Sequence, residues 1–179
     1  MQIPTDCRPV NRIAFVGSFG SGKTHMAEWL CKNKGYKKFS FATGLKLIAR
    51  DFYGISLGGS KTSEARSLYQ RLGDAMRSVN KDVFAIRALK EVSIYQCNRR
   101  DWEEPKPVVV DDLRFINEAS ALKNEGFVII RILPREPITD DTNPLRQHQS
   151  ETEMSLIEVD CEITSGEYEE LEAIVDKPW

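Results

Sequence analysis

The sequence has few cysteines and few histidines. Its 179 residues include two histidines and four cysteines, which are Cys7, Cys31, Cys97 and Cys161. The cysteines form no C-x-x-C pair, and the histidines do not stand at the spacing of paired metal ligands, which argues against a zinc site and against a disulfide scaffold. We therefore expect reduced thiols.

Long hydrophobic runs and an excess of charge of either sign are also absent. The longest apolar runs, such as residues 127–130, are much shorter than the ~20 residues of a membrane span, and the first residues lack the apolar segment of a signal peptide. The 25 basic and 27 acidic residues give a net charge of −2. This net charge does not give the positive electrostatic potential that attracts nucleic acid. A local groove lined by basic residues is still an alternative. We expect a cytoplasmic protein with no membrane partner.

Strand-like and helix-like segments alternate along the chain. At ~150 residues per domain, the length predicts one domain over 1–179 that buries a full core. The continuously β-branched run 108–110 is typical of a strand buried on both faces of a parallel sheet. The predicted strands are 12–16, 36–41, 108–110, 127–133 and 160–164. The alternation predicts an α/β fold with a mainly parallel sheet of about five strands and helices on both faces.

The region between the second and third predicted strands is mainly helical. Residues 62–79 and 83–95 both show apolar residues at helical spacing. We assign a helical insert to about 42–100. Residues 134–149 contain three prolines and are too long for a simple connection, so we predict a lid at about 134–150.

One motif carries the chemistry. Residues 17–24 read Gly-Ser-Phe-Gly-Ser-Gly-Lys-Thr and match the P-loop pattern G-x-x-x-x-G-K-[ST] between a predicted strand and a predicted helix. The glycines let backbone N–H groups point inward, and the helix N-terminus adds partial positive charge, so the main chain can bind a polyphosphate. Lys23 adds a charge for the β- and γ-phosphates, and the Thr24 hydroxyl suits Mg²⁺, which prefers oxygen ligands. The predicted nucleotide-binding residues are Gly17, Ser18, Gly20, Ser21, Gly22, Lys23 and Thr24.

Two acidic residues follow the predicted strand 108–110. P-loop folds normally carry an acid at the end of a second strand to hold the water shell of the metal, and Asp111 and Asp112 both stand there. Because alternate side chains of a strand point to opposite faces, only one of them can easily face the P-loop. The other turns away or caps the next helix, and the residues alone leave this choice open.

The segments after the P-loop favour a kinase over a GTPase switch. Residues 80–83, Asn-Lys-Asp-Val, lack the final Asp of a guanine-binding N-K-x-D motif, and no switch-type D-x-x-G follows the second strand. Kinases of phosphorylated acceptors need several cations to hold two anions together, and arginine suits this role. The candidate arginines are Arg66, Arg71, Arg77, Arg114, Arg135 and Arg146. If 62–79 is one helix, Gln70 shares a side with Arg66 and Arg77, whereas Arg71 faces elsewhere. For each arginine, the sequence is equally consistent with a solvated surface position and with a functional one.

Residues 148–153, His-Gln-Ser-Glu-Thr-Glu, have two readings. Ser150 and Glu153 have the spacing of a capping box, which predicts a helix start after the lid. In the other reading His148 contacts a nucleotide. His25, on the P-loop helix, is expected to be structural.

Four strings beyond the P-loop carry a resemblance to one family. They are Phe41-Ala42-x-x-Leu45-Lys46, Gln70-Arg71-Leu72-Gly73 with Arg77, Asp112-Leu113-Arg114-Phe115-x-Asn117-Glu118, and His148-x-Ser150-Glu151. On these strings most of the sequence resembles the phage-type deoxynucleoside monophosphate kinases, which have the three-layer P-loop kinase fold. Two departures are Gly44, where the family often has Pro, and Thr24-His25, where it often has Asp-Thr.

The resemblance implies a reaction and a set of residues. The reaction is transfer of the γ-phosphoryl group of ATP to a (deoxy)nucleoside monophosphate with Mg²⁺, in a phage-infected bacterial cytoplasm. Asp112, rather than Asp111, aligns with the strand-end acid of the family, so Thr24 and Asp112 would hold the metal. The catalytic residues would be Lys23, Asp112, Arg114 and Arg135. The acceptor-binding residues would be Lys46, Gln70, Arg71, Arg77, Arg114, Glu118, His148 and Glu151.

Two other functions stay open. Related phage kinases act on hydroxymethylated pyrimidines already within DNA, and the motifs alone do not separate these from kinases of free nucleotides. The acidic isoelectric point, near 5.8, speaks only mildly against DNA as the acceptor. The second alternative is a non-catalytic nucleotide-binding module, which would not need cations on the acceptor side. We expect small-molecule nucleotides as partners, and a homodimer stays open.

Overall fold

The computed structural model describes residues 10–55, 63–97, 106–136 and 149–176. Most of the predicted lid therefore lies outside the described residues, as do Arg146 and His148. Within the described part, no helix is both long enough and apolar enough to cross a membrane.

Five parallel strands form one sheet with β1 at its centre. The strands are β1 (Arg12–Val16), β2 (Lys37–Phe39), β3 (Val108–Leu113), β4 (Val128–Leu133) and β5 (Cys161–Thr164). Their order across the sheet is β2-β3-β1-β4-β5, and each neighbouring pair is parallel. Because the carboxyl ends of parallel strands share one edge, the segments that follow β1, β3 and β5 come together there. The predicted parallel sheet of about five strands is confirmed.

Helices connect the strands and cover both faces of the sheet. In the described residues they are α1 (Lys23–Asn33), α2 (Thr43–Tyr53), α3 (Ser63–Val79), α4 (Val83–Cys97), α5 (Ile116–Asn124), α6 (Gln149–Ser155) and α7 (Tyr168–Val175). On one face, α1 and α7 pack around Met26, Leu30 and Leu171. On the other face, α4 and α5 pack around Phe84 and Leu122. The predicted helices on both faces are confirmed.

The central strand β1 is buried from both sides. Ala14 and Val16 join the cluster under α4 and α5, while Ile13 and Phe15 join the cluster under α1 and α7. All four side chains are fully buried, which explains the continuous apolar sequence of the strand. Burial of a side chain as large as Ile or Phe stabilises the fold by roughly 1.5–3 kcal/mol. The loops at the carboxyl edge therefore start from strands that are held by a tightly packed core.

The strand β3 extends to Leu113, whereas the sequence predicted a strand over 108–110. Its register against β1 shifts, because Ala14 pairs with Val110 but Val16 pairs with Leu113. In this interval β3 therefore has one residue more than β1, as in a β-bulge. The two aspartates expected after the strand lie inside it. The prediction ended too early because charged residues are uncommon in a strand buried on both faces.

The strand β2 covers only Lys37–Phe39, although the predicted strand spans 36–41. The chain leaves the sheet at Ser40, whose hydroxyl donates to the carboxylate of Asp112 on β3. The next two backbone N–H groups donate to the same carboxylate. A side chain of β3 thus replaces the strand partner of this backbone, and the chain turns into α2.

Candidate active site

The P-loop forms the turn between β1 and α1 at the carboxyl edge of the sheet. β1 ends at Val16 and α1 begins at Lys23, so the motif lies between a strand and a helix, as predicted. Gly22 precedes α1 with φ +91°, a left-handed conformation that glycine adopts without strain. A Cβ atom at Gly22 would also overlap the hydroxyl of Ser165, in the turn after β5. Glycine is therefore required there for two independent reasons.

Lys23 is folded into the P-loop. Its ammonium donates to the carbonyl of Gly17 at 2.5 Å and of Ser18 at 2.8 Å, and it lies 3.4 Å from the Ser21 hydroxyl. These three partners belong to the loop but do not line the cavity described below. The first turn of α1, all of it described, has no acidic residue, so no side chain of that turn neutralises the positive end of the helix. The arrangement can bind a polyphosphate chain.

The two residues that follow Lys23 face the open side of the loop. Thr24 and His25 are both exposed, and both line the cavity. Thr24 thus lies at the cavity, where the motif predicts a metal ligand. His25, which we expected to be structural, also lies on the cavity wall. Its position directly after the motif was the available signal in the sequence.

A cavity of about 790 Å³ extends from the P-loop to the helical insert. Its opposite wall is formed by α2, α3, α4 and the segment from β3 to α5. Many of the site residues predicted from the sequence meet around this one space. Those that line it are Gly20, Gly22, Lys23, Thr24, Lys46, Gln70, Arg77, Asp112, Arg114 and Glu118.

Arg71 is exposed and does not line the cavity. The face of α3 that does so carries Tyr69, Gln70, Asp74 and Arg77. Gln70, Asp74 and Arg77 have the spacing i, i+4 and i+7, which places them on one side of a helix. Arg71 is turned about 100° away from Gln70. The structure therefore separates Arg71 from the other cations expected to bind the acceptor.

Three further predicted residues lie at or beyond the limits of the described chain. Arg135 is exposed just after β4, and its guanidinium lies beside the turn that follows β5. The helix expected after the lid is present as α6, but it begins at Gln149, so Ser150 lies within the helix rather than at the cap position that the capping-box spacing predicts. The side chain of Glu151 and all of His148 lie outside the described residues. These two remain predictions.

Asp112 organises the start of α2. Its Oδ1 accepts a hydrogen bond from the N–H of Phe41 at 2.9 Å. Its Oδ2 accepts from the N–H of Ala42 at 2.9 Å and from the Ser40 hydroxyl at 2.6 Å. Asp112 therefore ties β3 to the turn before α2 and does not cap α5, which was one of the sequence alternatives.

Asp111 is the neighbouring acid and lines the cavity as well. It is 9% exposed, and its Oδ2 lies 3.5 Å from the ammonium of Lys38. Burial raises the pKa of Asp111, the charge of Asp112 raises it further, and Lys38 opposes both effects. Both adjacent acids therefore border the cavity, although the sequence led us to expect only one of them to face the P-loop.

The Arg77 guanidinium is enclosed by two aromatic rings and a carboxylate. Its Cζ lies 3.9 Å from the ring centroid of Phe115 and 4.6 Å from that of Phe84, within the range of cation–π contacts. Its Nη2 lies 3.4 Å from Oε1 of Glu118. Glu118 is 2% exposed, and burial raises its pKa to about 7 even though Arg77 acts in the opposite direction.

Arg114 lines the same wall as Arg77. It follows β3 directly, and its backbone N–H donates to Oε2 of Glu118 at 3.3 Å. Two arginines from separate elements thus border the space that the P-loop borders from the other side. This arrangement can hold two anionic groups next to each other.

Phe84 lines the cavity but carried no signal in the sequence. Phe84 stands at an apolar position of a helix, and in one dimension it is indistinguishable from a core residue. Only the fold shows that its ring also borders the cavity. The lining residues that sequence reasoning did not assign to the site include Phe19, His25, Ser40, Phe41, Tyr69, Asp74, Phe84 and Phe115.

Comparisons with known proteins place the sequence near viral relatives, and no protein-family model matches it. A protein of Acanthamoeba polyphaga mimivirus, provisionally named a deoxynucleotide monophosphate kinase, is 27% identical over 158 residues, covering 74% of this chain and 78% of that protein. Two uncharacterised proteins of Ictalurid herpesvirus 1 (strain Auburn) are also similar. ORF77 is 28% identical over 141 residues, 78% of this chain and 57% of its own length. ORF76 is 31% identical over 128 residues, 69% of this chain and 48% of its own length. The chain thus spans about half the length of these two herpesvirus proteins.

Solved structures show only a distant likeness. A gluconokinase from Sinorhizobium meliloti 1021 is 16% identical with a TM-score of 0.41, covering 94% of this chain and 89% of that chain. The APS kinase of Mycobacterium tuberculosis, as a Cys556Ala mutant, is 14% identical with a TM-score of 0.40, covering 95% of this chain and 100% of that chain. A likeness this low adds nothing to the fold described above. In sequence, the chain is similar to a protein provisionally named a deoxynucleotide monophosphate kinase.

Proposed function

We propose that the protein transfers the γ-phosphoryl group of ATP to the phosphate of a (deoxy)nucleoside monophosphate, releasing ADP and a nucleoside diphosphate. The observation that carries this proposal is the cavity of about 790 Å³ with the P-loop on one side and Arg77 and Arg114 on the other. Small-molecule pockets commonly enclose about 300–1,000 Å³, so the space suits two reacting phosphate groups and parts of their nucleosides. The similarity to the mimivirus protein supports the acceptor class.

The P-loop side would bind the phosphates of ATP. The ammonium of Lys23, which contacts the carbonyls of Gly17 and Ser18, would exchange these partners for phosphate oxygens. That exchange is favourable because hydrogen bonds between two charged groups are stronger than those to a neutral carbonyl. Arg135 is a further candidate on this side, since it lies beside the turn that packs against Gly22.

The residues around the P-loop fit a magnesium ion. Thr24 presents an exposed hydroxyl at the start of α1, and Asp112 carries carboxylate oxygens on the cavity wall. A carboxylate has about four lone-pair positions, so Asp112 can hold the turn before α2 and still accept a bond from a metal-bound water. Mg²⁺ would neutralise phosphate charge while keeping several of its own waters. Asp111 is the alternative acid because it lines the same cavity.

The opposite wall would hold the acceptor phosphate. Arg77 and Arg114 have planar guanidinium groups that match phosphate oxygens, and Lys46 and Gln70 extend the polar lining. An acceptor phosphate oxygen is anionic at neutral pH, so it can attack the γ-phosphorus without a strong general base. The bond from that phosphorus to the bridging oxygen breaks, and ADP leaves. Positioning and charge stabilisation by Lys23, Arg114 and the other cations therefore supply the catalysis.

The segment 134–150 stays a predicted lid. Closure over both substrates would exclude water, which otherwise competes with the acceptor for the phosphoryl group. His148 and Glu151 stay predicted contacts of this segment.

A substrate panel tests the proposed reaction. The full chain is incubated with ATP, Mg²⁺ and each of the common ribo- and deoxynucleoside monophosphates, and the products are separated by anion-exchange chromatography. We expect ADP together with at least one nucleoside diphosphate. Lys23→Ala should lower kcat by at least ~100-fold because the transition state loses a charged donor. Lys32→Ala, which removes an exposed lysine of the same helix, should leave kcat unchanged.

Two outcomes would replace the proposal. ATP binding without phosphorylation of any acceptor would favour a nucleotide-binding module. Phosphorylation of DNA that contains hydroxymethylated pyrimidines, with no reaction on any free monophosphate, would favour a kinase of DNA. A salt series helps to separate these cases, because several contacted DNA phosphates give a steep salt dependence and one mononucleotide gives a shallow one.

A further inference from the structure

The Arg77 side chain is enclosed by residues of two other elements. Phe84 comes from α4, Phe115 is the residue before α5, and Glu118 stands in the first turn of α5. The distances are those given above, 4.6 Å and 3.9 Å to the two ring centroids and 3.4 Å to the carboxylate. An arginine that is already ordered loses less conformational freedom when it binds a ligand. The enclosure therefore prepares Arg77 for an anion in the cavity.

Glu118 connects the parts of this enclosure. Its Oε1 faces Arg77, and its Oε2 accepts hydrogen bonds from the N–H groups of Arg114 and Phe115, each at 3.3 Å. The bond to Phe115 is the half of a capping box that Glu118 supplies at the start of α5, since a phenylalanine ring has no oxygen for the reciprocal bond. One carboxylate thus orients the guanidinium of Arg77 and also the backbone that carries Arg114 and Phe115.

We propose that Glu118 is a positioning residue of the acceptor site: together with Phe84 and Phe115 it holds the Arg77 guanidinium toward the cavity, where Arg77 binds the acceptor phosphate. This role rests on the proposed function. It differs from the role that the resemblance implies, in which Glu118 itself binds the acceptor. Glu118 is 2% exposed, both of its oxygens already have partners, and an ionised carboxylate repels a phosphate.

The contact with Glu118 leaves Arg77 suited to a second anion. Its length of 3.4 Å exceeds the ~2.8 Å of a strong charge-assisted hydrogen bond, so it orients the guanidinium without a tight bond. A guanidinium carries five N–H donors in one plane, and a phosphate can bind two of them at once. A phosphate therefore gains a strong contact without first displacing Glu118.

At pH 8, where Glu118 with its pKa of about 7 is mainly ionised, Glu118→Gln tests the positioning role because glutamine keeps the size and one acceptor oxygen but removes the charge that orients Arg77. We expect the KM of the nucleoside monophosphate to rise by about tenfold, whereas the KM of ATP should change by less than about twofold. Glu91→Gln is the matched control. It removes the charge from the Arg87–Glu91 pair, which is 2.7 Å long and does not line the cavity, so neither KM should change.

The aromatic part of the enclosure has its own matched pair of variants. Phe115→Leu removes the ring nearest to Arg77 and should also raise the KM of the acceptor rather than that of ATP. Phe127→Leu removes a buried ring that has Arg12 at 6.0 Å from its centroid, away from the cavity. It should leave both KM values unchanged, apart from any loss of stability.

The ¹⁵N NMR signals of the Arg77 guanidinium, assigned with Arg77→Lys, give a readout that does not depend on activity. In the wild type we expect slow rotation of the Arg77 guanidinium and therefore separate signals for its nitrogens. In Glu118→Gln we expect faster rotation, which averages these signals. An unchanged acceptor KM in Glu118→Gln, in a preparation whose wild type phosphorylates mononucleotides, would overturn the positioning role alone. No turnover by the wild type with any mononucleotide would overturn the proposed function and this role with it. Equal rises in both KM values together with a lower Tm would assign Glu118 to the fold rather than to the acceptor site.

Discussion

The two sides of the cavity are built in different ways. The P-loop side comes from the consecutive residues 17–24 and acts through backbone groups and one lysine. The opposite wall comes from α2, α3, α4 and the segment from β3 to α5, and it presents long side chains such as Arg77 and Arg114. A site made of backbone needs only the right local conformation. A site made of long side chains needs neighbours that hold them, and here the buried carboxylate of Glu118, 41 residues after Arg77, contacts the Arg77 guanidinium.

The largest effect is expected on the P-loop side, from Gly22→Ala. Alanine is strained at φ +91° and its Cβ would overlap Ser165, so the free energy of unfolding should fall by roughly 2–5 kcal/mol and ATP binding should be lost. Urea unfolding and titration with ATP measure the two effects.

Gly35→Ala is the matched control for Gly22→Ala. Gly35 has φ +70° with no atom within 4 Å of an added Cβ, so only the backbone strain of about 1–2 kcal/mol should appear. Adding Ser165→Gly to Gly22→Ala should restore the part of the free energy of unfolding that is lost through the overlap with Ser165. Equal destabilisation by Gly22→Ala and Gly35→Ala would show that the overlap with Ser165 does not contribute to the loss in the free energy of unfolding.

The next effect is a pH dependence of the free energy of unfolding, caused by Glu118 on the wall opposite the P-loop. Burial raises the pKa of Glu118 from 4.5 to about 7. Between these two pH values the folded protein keeps the proton and the unfolded chain has lost it, so the free energy of unfolding falls as pH rises through this window and levels off above it. The full decrease is up to about 3 kcal/mol.

Urea unfolding of the wild type and of Glu118→Gln from pH 4 to pH 8 measures this contribution as a difference. The variant should gain stability relative to the wild type as pH rises, although its acceptor site is impaired. Arg77 and Asp112 are the charged groups that also act on Glu118. If the wild type gained stability over the variant with rising pH, its pairing with Arg77 would outweigh the cost of burial.

A smaller effect distinguishes the two adjacent acids of β3. Asp112→Asn weakens three hydrogen bonds to the turn before α2 and should lower the free energy of unfolding by about 2 kcal/mol. Asp111→Asn should cost less than about 1 kcal/mol, because burial already disfavours its charged form and its contact with Lys38 is 3.5 Å long. Equal losses for the two variants would contradict the anchoring role of Asp112.

The smallest effect is expected for Arg71→Ala. This exposed side chain does not line the cavity, so the KM of the acceptor should stay within about twofold of the wild-type value. Arg77→Ala, on the same helix, should raise that KM by about tenfold or more. Initial-rate measurements with varied nucleoside monophosphate decide between them. A large effect at Arg71 would extend the acceptor site beyond the described cavity.

Elements set by local patterns were predictable. The strand predicted over 12–16 is β1 (Arg12–Val16), and the helix predicted over 62–79 is α3 (Ser63–Val79). In both cases hydrophobic periodicity records which faces are buried, and that period is visible in one dimension. The P-loop was predictable for a related reason, since its glycines, lysine and threonine form a single turn of chain.

Elements that depend on distant partners were predicted less well. The predicted strand 36–41 is shortened to β2 (Lys37–Phe39) because Asp112, about 70 residues later, captures the backbone after it. The strand 108–110 is extended to β3 (Val108–Leu113) through a register shift against β1. The sequence around β2 does not show that Asp112 will bind the backbone after it, and the sequence around β3 does not show its register against β1.

The sequence by itself determined the P-loop, the alternation of strands and helices, and the set of arginines from which an acceptor site could be built. Only the tertiary structure decided that Arg77 and Arg114 face the P-loop while Arg71 faces away, and that Asp112 and Glu118 hold their neighbours in place. The physical reason is the range of the interactions. Backbone conformation and hydrophobic periodicity act between residues close in the chain, whereas the orientation of a long charged side chain depends on rings and carboxylates that only folding brings near.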